Sequence, residues 1–187
     1  MAEHTLEAAP LLGGKSLSFG DSRVVERDDL ALVSIATPQD GGEALAAILK
    51  DEWALDVPAP TLSSTSGDVR AIRTAADQMM LVFPHLTPDA NVHVQVKLDG
   101  VGYTTDQTDA WVVLEVSGPD SIAALERLCP LDLHASAFPV NAAGRTVMEH
   151  MGAMIVRTDD DGYLLMSASS SAQSFLHAVE TSFRWTT

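Results

Sequence analysis

The 187-residue chain carries 26 acidic against 11 basic side chains, a formal net charge of −15, so it repels phosphate backbones and anionic lipid heads, and no basic cluster relieves this locally. With 46% hydrophobic residues it can fill one good-sized core or two tightly joined halves, but not two independent enzymatic domains. A lone cysteine, Cys129, excludes an internal disulfide and stands in no metal-ligand spacing; with no apolar run of membrane-spanning length and no basic-then-apolar leader after Ala2, Glu3 and His4, the expected compartment is the reducing cytoplasm.

Residues 1–29 read as an N-terminal arm. Within it Leu11-Leu12-Gly13-Gly14-Lys15-Ser16 ends like a phosphate-binding loop, but the first glycine of that motif would fall at Ala9 and no apolar strand precedes it, so a flexible segment is expected. From Leu30, LALVSIA predicts a strand that turns through Pro38 into a helix, with Asp40 and Glu43 as a capping pair and Leu45, Ile48 and Leu49 on one face. A Leu55-Asp56-Val57 step follows, then a Pro, Ser, Thr and Gly-rich loop over 58–68 and a hairpin over Ile72–Val82. Val92, Val94, Val96 and Leu98 alternate with polar residues like a strand, yet Leu86-Thr87-Pro88-Asp89 looks like a helix start, and a helix is expected here.

The second half runs through the same steps. WVVLEV from Trp111 predicts a strand, Pro119 opens a helix bearing Ile122, Leu125 and Leu128, and Cys129 lies buried at its end. Leu131-Asp132-Leu133 is followed by a hairpin over Val156–Met166 and a terminal amphipathic helix bearing Phe175, Leu176, Val179 and Phe183, with Ser170 and Gln173 as a capping box. The two hairpins align without a gap: Arg73 falls on Arg157, Thr74 on Thr158, Asp77 on Asp161 and Leu81 on Leu165. The fold expected is therefore α+β, two pseudo-twofold-related β-α-β-β-α halves (30–104 and 105–187) forming one domain, because such halves have open sheet edges and one-sided helices that pairing would cover.

Few residues present themselves for chemistry. Gly100-Val101-Gly102 lacks the third glycine and helix of a dinucleotide fingerprint and reads as a turn. His4, His85, His93, His134, His150 and His177 are scattered without ligand spacing; His150 beside Glu149 is read as strand neighbours pointing to opposite faces. Asp159, Asp160 and Asp161 form an acidic hairpin tip with too few oxygen ligands for calcium. Met79, Met80, Met148, Met151 and Met154 are expected as core or interface filler. Arg73 and Arg157, at equivalent places, have the forked geometry to grip a carboxylate, though such arginines more often hold an adjacent Asp or a turn carbonyl. No catalytic, cofactor-binding or metal residue is assigned.

From Thr105 to Glu180 the sequence, with TDQTDAW, the LEVSGPDS strand-to-helix turn, and CPLDLHASAFPV followed by RTVMEH, resembles the γ-subunit family of heterotetrameric sarcosine oxidases over about two-fifths of the chain. The SGPD turn and the Leu-Asp step are also similar to the first domain of glycine-cleavage T-proteins and their folate-binding relatives. The resemblance implies a T-protein-like (folate-binding-like) domain serving as a non-catalytic part in assembly, inside a complex that demethylates sarcosine oxidatively to glycine with tetrahydrofolate as one-carbon acceptor. It implies FAD, FMN, NAD and tetrahydrofolate on other subunits and none on this chain, and as partners the larger α and β subunits and a small δ subunit, with no nucleic acid and no membrane. Two alternatives stay open: a small subunit of an N-methylglutamate dehydrogenase or related N-methylamine demethylase, and a stand-alone tetrahydrofolate-binding aminomethyltransferase-like protein, for which Asp109, after Asp106 in the loop before Trp111, would be the carboxylate to test. The reactive-cysteine loop of folate-fold proteins that rescue iron–sulphur enzymes is missing, and Cys129 has no such context.

Overall fold

A computed structural model describes residues 9–186. Its elements in chain order are β1 (Ser16–Phe19), β2 (Ser22–Glu26), β3 (Leu30–Ala36), α1 (Gly42–Trp53), β4 (Ser63–Ser66), β5 (Val69–Ala75), β6 (Gln78–Pro84), α2 (Ala90–Leu98), β7 (Tyr103–Asp106), β8 (Trp111–Ser117), α3 (Ser121–Glu126), β9 (Ala143–Met148), β10 (Met151–Asp159), β11 (Gly162–Ala168) and α4 (Ala172–Arg184). They build two antiparallel sheets, a six-stranded one in the order β1-β2-β8-β11-β10-β9 and a five-stranded one in the order β4-β5-β6-β3-β7.

The sheets stack face to face and carry helices on their outer faces. Leu30, Leu32, Ile72, Met80 and Val82 of one sheet meet Val113, Met154, Val156, Leu164 and Met166 of the other. The alternate residues point outward: Ala31, Val33, Ile35, Met79 and Leu81 pack under α1 and α2, and Val112, Leu114, Val116, Ile155 and Leu165 under α3 and α4. Strands covered on both faces need no polar alternation, which is why LALV, MMLVF and YLLM are continuous apolar runs.

The pseudo-twofold repeat is visible strand by strand. In each half the opening strand pairs with the last of three hairpin strands, giving β3-β6-β5-β4 and β8-β11-β10-β9. The sequence reading gives each half three strands; the structure adds β4, inside the 58–68 stretch expected to be loop, β9, before the second hairpin, and β7, between α2 and β8. The ladders shift register at the same place, between Arg73 and Ala75 and between Arg157 and Asp159. The halves also meet reciprocally on the pseudo-axis, where Ser63 N–H donates to Asn141 O (2.7 Å) and Ala143 N–H to Thr61 O (2.8 Å), beside a Leu62–Ala142 bridge.

Residues 16–26 are not an arm. β2 lies ahead of β3 in the chain but pairs with β8 of the second half, while β7, ahead of β8, pairs with β3 of the first. Each half thus lends a strand to the other and closes an exposed sheet edge. The GGKS segment is held as well. The buried carboxylate of Glu26 accepts the N–H groups of Leu12 (2.8 Å), Gly14 (2.7 Å) and Lys15 (3.2 Å), and Gly13 and Gly14 take the positive φ values (76° and 67°) that turn those amides inward. The loop is an anion cradle whose anion is the chain's own glutamate.

The helix expected over 92–98 forms as α2. The capping pairs do not: Asp40 turns to φ 59° and α1 begins at Gly42 without a side-chain cap, and α4 begins at Ala172 after a short 3₁₀ turn, also uncapped. Glu149 and His150 are not strand residues either. They are the two-residue turn between β9 and β10, with φ 45° and 70°, a conformation that favours Asn-Gly and strains other side chains. Replacing them with Asn-Gly is expected to stabilise the chain by about 1 kcal/mol, read as an increase in the urea midpoint at unchanged m-value.

Candidate functional site

The two aligned arginines occupy equivalent places in the halves and meet opposite fates. Arg157, on β10, is 3% exposed. Its Nη1 donates to Phe138 O (2.9 Å) and Leu133 O (3.3 Å), its Nε to Asp159 O (3.2 Å), and its Nη2 to Asp160 O. Tyr163, fully buried, lies under the guanidinium at 5.6 Å and fills the remaining space. Arg157 is a brace: it ties the 133–138 connection to the β10–β11 turn, and each of its side-chain hydrogen bonds goes to a main-chain carbonyl.

Arg73, on β5, keeps one side-chain contact of this kind, Nη2 to Ala76 O, the counterpart of Arg157 to Asp160 O. Its Nε is buried and without a partner. The connection that would supply carbonyls is shorter here, Leu55 to Leu62 against Leu131 to Ala142, and Met79 stands where Tyr163 stands in the second half. The result is a cavity of about 490 Å³ between β5, β6 and the start of α1, with Arg73, Gln39 and Asp77 at its rim and Leu45, Val57 and Met79 in its wall.

The helix ends differ in the same sense. Thr37 N–H donates to Asp77 O (2.8 Å) and Gly118 N–H to Asp161 O (3.1 Å), which makes 37–39 and 118–120 equivalent turns. In the second half the β1–β2 hairpin covers that turn: Ser22 Oγ donates to Asp120 Oδ2 (3.0 Å) and accepts Asp120 N–H (3.0 Å). In the first half none of the described residues covers it in a comparable way, and Gly42, at the first position of α1, lines the cavity.

The other candidates are dispersed. Asp106 accepts Thr108 N–H (2.9 Å) in the turn before β8, while Asp109 is exposed and lines neither described cavity, so no enclosed carboxylate for a pterin or an amine is formed there. Cys129 is buried, and burial pushes its thiol pKa up, with Glu126 adding to the rise against a lowering contact from the Leu131 backbone, so it is held as a neutral thiol and not a nucleophile. Met79, Met80, Met148 and Met154 are core residues and Met151 is packed against it. Sequence spacing missed that His85 and His93 approach ring to ring (5.7 Å), with His85 Nε2 on Asp89 Oδ1 (2.7 Å), because the contact crosses the turn into α2. Among the described residues no three His, Cys, Asp or Glu side chains are grouped to hold a metal, and His4 lies outside them.

A second cavity of about 480 Å³ lies between the end of α3, the Glu149–His150 turn and α4, lined by Arg127, Glu149, His177 and Trp185 among others. Large apolar side chains are exposed on the opposite half. Val92 (57%) and Val96 (73%) stand one turn apart on the outer side of α2, with Leu86 (81%) just before the helix and Tyr103 (68%) on β7 against which α2 packs. Among the described residues no helix is long and apolar enough to cross a membrane.

Two face-to-face sheets, outer helices and the half-to-half repeat define a glycine-cleavage T-protein-like fold. The chain superposes on aminomethyltransferase T of the glycine cleavage system from Bartonella henselae with a TM-score of 0.61 at 14% identity, over 85% of this chain and 45% of that one. Over part of its length its sequence is similar to sarcosine oxidase γ subunits. It is 29% identical over 101 residues to sarcosine oxidase subunit gamma of Corynebacterium sp. (strain P-1), covering 54% of this chain and 50% of that protein, and 37% identical over 54 residues to the Arthrobacter sp. subunit gamma, covering 29% and 27%. The match thus spans about half or less of the length of these curated relatives. A chain of heterotetrameric sarcosine oxidase from Corynebacterium sp. U-96, solved in complex with pyrrole 2-carboxylate, superposes with a TM-score of 0.77 at 20% identity, over 91% of this chain and 87% of that one. No protein-family model matches the chain.

Proposed function

We propose that this chain is the γ-type subunit of a heterotetrameric sarcosine oxidase, acting in assembly and stabilisation of a complex whose larger α and β subunits hold the flavins, NAD and tetrahydrofolate, with a small δ subunit as the fourth chain. The observation that carries the assembly role is the outer face of α2. Its valines are the residues that gave the segment a strand-like sequence, and a helix that turns Val92 and Val96 to water has no folding reason to keep them. Apolar side chains grouped this way on a strongly charged protein mark a surface that another protein covers.

Affinity purification of the tagged chain from its native cytoplasm, read by absorbance and subunit masses, tests this. Two large flavin-coloured subunits and a small fourth chain are expected in the eluate. A Val92→Glu/Val96→Glu variant, folded by circular dichroism because both positions are exposed, is expected to lose co-purification by about tenfold or more. A lone colourless chain that binds tetrahydrofolate would overturn the proposal.

A further inference from the structure

We propose that the cavity at Arg73 is a binding site for a small monocarboxylate with an apolar body. The inference is independent of the subunit role and rests on the comparison the protein makes with itself. Where the fold uses an arginine at this position only as a brace, in the second half, it closes the place completely. Four carbonyls meet the Arg157 guanidinium, Tyr163 fills the floor and the β1–β2 hairpin covers the neighbouring turn. In the first half the arginine is kept and each closing part is absent. The connection is shorter, the floor is Met79, and among the described residues no hairpin lies over Thr37–Gln39.

What remains open has the chemistry of a carboxylate site. Arg73 lines the cavity; its Nη2 meets Ala76 O and its Nε is buried, so the charge reaches a ligand through the terminal nitrogens of the guanidinium. Gly42 places the start of the 12-residue α1 on the same cavity, and that helix has no side-chain cap, so its first-turn N–H groups lack intrahelical partners and add a positive partial charge. Leu45, Val57 and Met79 supply an apolar wall for the rest of the ligand. Asp77, exposed at the rim, disfavours a second carboxylate on the ligand. A volume of about 490 Å³ suits a small organic acid.

The test is a titration of the full, ¹⁵N-labelled chain with sodium isovalerate to about 50 mM at constant ionic strength, against isoamyl alcohol, which has the same branched body without the charge. Saturable shifts are expected for the Arg73 Nε–H and the amides of Gly42 and Asp77 with the acid, and none with the alcohol. Arg73→Gln is expected to weaken binding by about tenfold or more, with Arg73→Lys intermediate, since a point charge replaces the fork. The absence of saturable shifts in the unsubstituted chain, equal binding of the alcohol, or affinity unchanged in Arg73→Gln would each overturn the proposal. The first two readouts need no variant.

Discussion

Replacing Gly118 by alanine is expected to destabilise the chain by about 3 kcal/mol or more, enough to unfold a marginal domain of this size at growth temperature. Gly118 sits in the SGPD turn between β8 and α3 with φ +111°, a conformation that L side chains rarely adopt. A Cβ placed there would stand 2.5 Å from Ser22 Cα and 2.7 Å from Asp21 O. Both are main-chain atoms of the β1–β2 hairpin, so no side chain can swing aside, and relief requires lifting the hairpin off β8. The Ser22–Asp120 hydrogen bonds and the Glu26 cradle would be disturbed with it. Urea denaturation of Gly118→Ala beside Gly152→Ala, where an added Cβ meets nothing within 4 Å, separates this clash from the general effect of removing a glycine. Equal losses in the two variants would show that the close approach of the hairpin is not what the turn requires.

Arg157→Met is expected to cost about 3–5 kcal/mol, whereas Arg73→Gln, at the aligned position, is expected to cost less than about 1 kcal/mol. The apolar replacement in the second half leaves the carbonyls of Leu133 and Phe138 without their donor in a buried place, and unties those of Asp159 and Asp160 at the exposed hairpin tip. In the first half the lost side-chain contact is a single one, to Ala76 O at an open cavity, and water can replace it. The measurement is the pair of unfolding free energies. A costly Arg73→Gln would mean that this arginine also braces the fold, and a harmless Arg157→Met that the carbonyls find other donors. The contrast also shows whether Arg73→Gln reports on binding with the fold intact.

The resemblance to γ subunits lies mainly in the second half, where the closed arginine site is also found. CPLDLHASAFPV includes the connection whose Leu133 and Phe138 carbonyls hold Arg157, and LEVSGPDS includes the turn against which β1–β2 packs. Those motifs therefore have structural reasons to be as they are, and their presence says more about how the domain closes than about chemistry.

Much of the architecture was legible in the sequence because it depends on neighbours along the chain. Helical spacing placed α1, α3 and α4, turn residues placed both hairpins, and the Arg73–Arg157 alignment revealed the repeat that the ladders confirm down to the shared register shift. The misreadings had nonlocal causes. β4 carries Ser63, Ser64 and Ser66 with little apolar signal, and it is a strand because β5 pairs with it and Asn141 O receives Ser63 N–H. The GGKS segment looked mobile because its anchor, Glu26, is a strand residue on the far side of a hairpin. Only the tertiary structure decided that β2 and β7 exchange halves, that Arg157 is enclosed and that Arg73 is open. Each of these depends on where a connection of given length delivers its main-chain groups. Hydrophobic periodicity reports which way a side chain faces; it carries no information on which distant carbonyl will meet an arginine, or on whether one will.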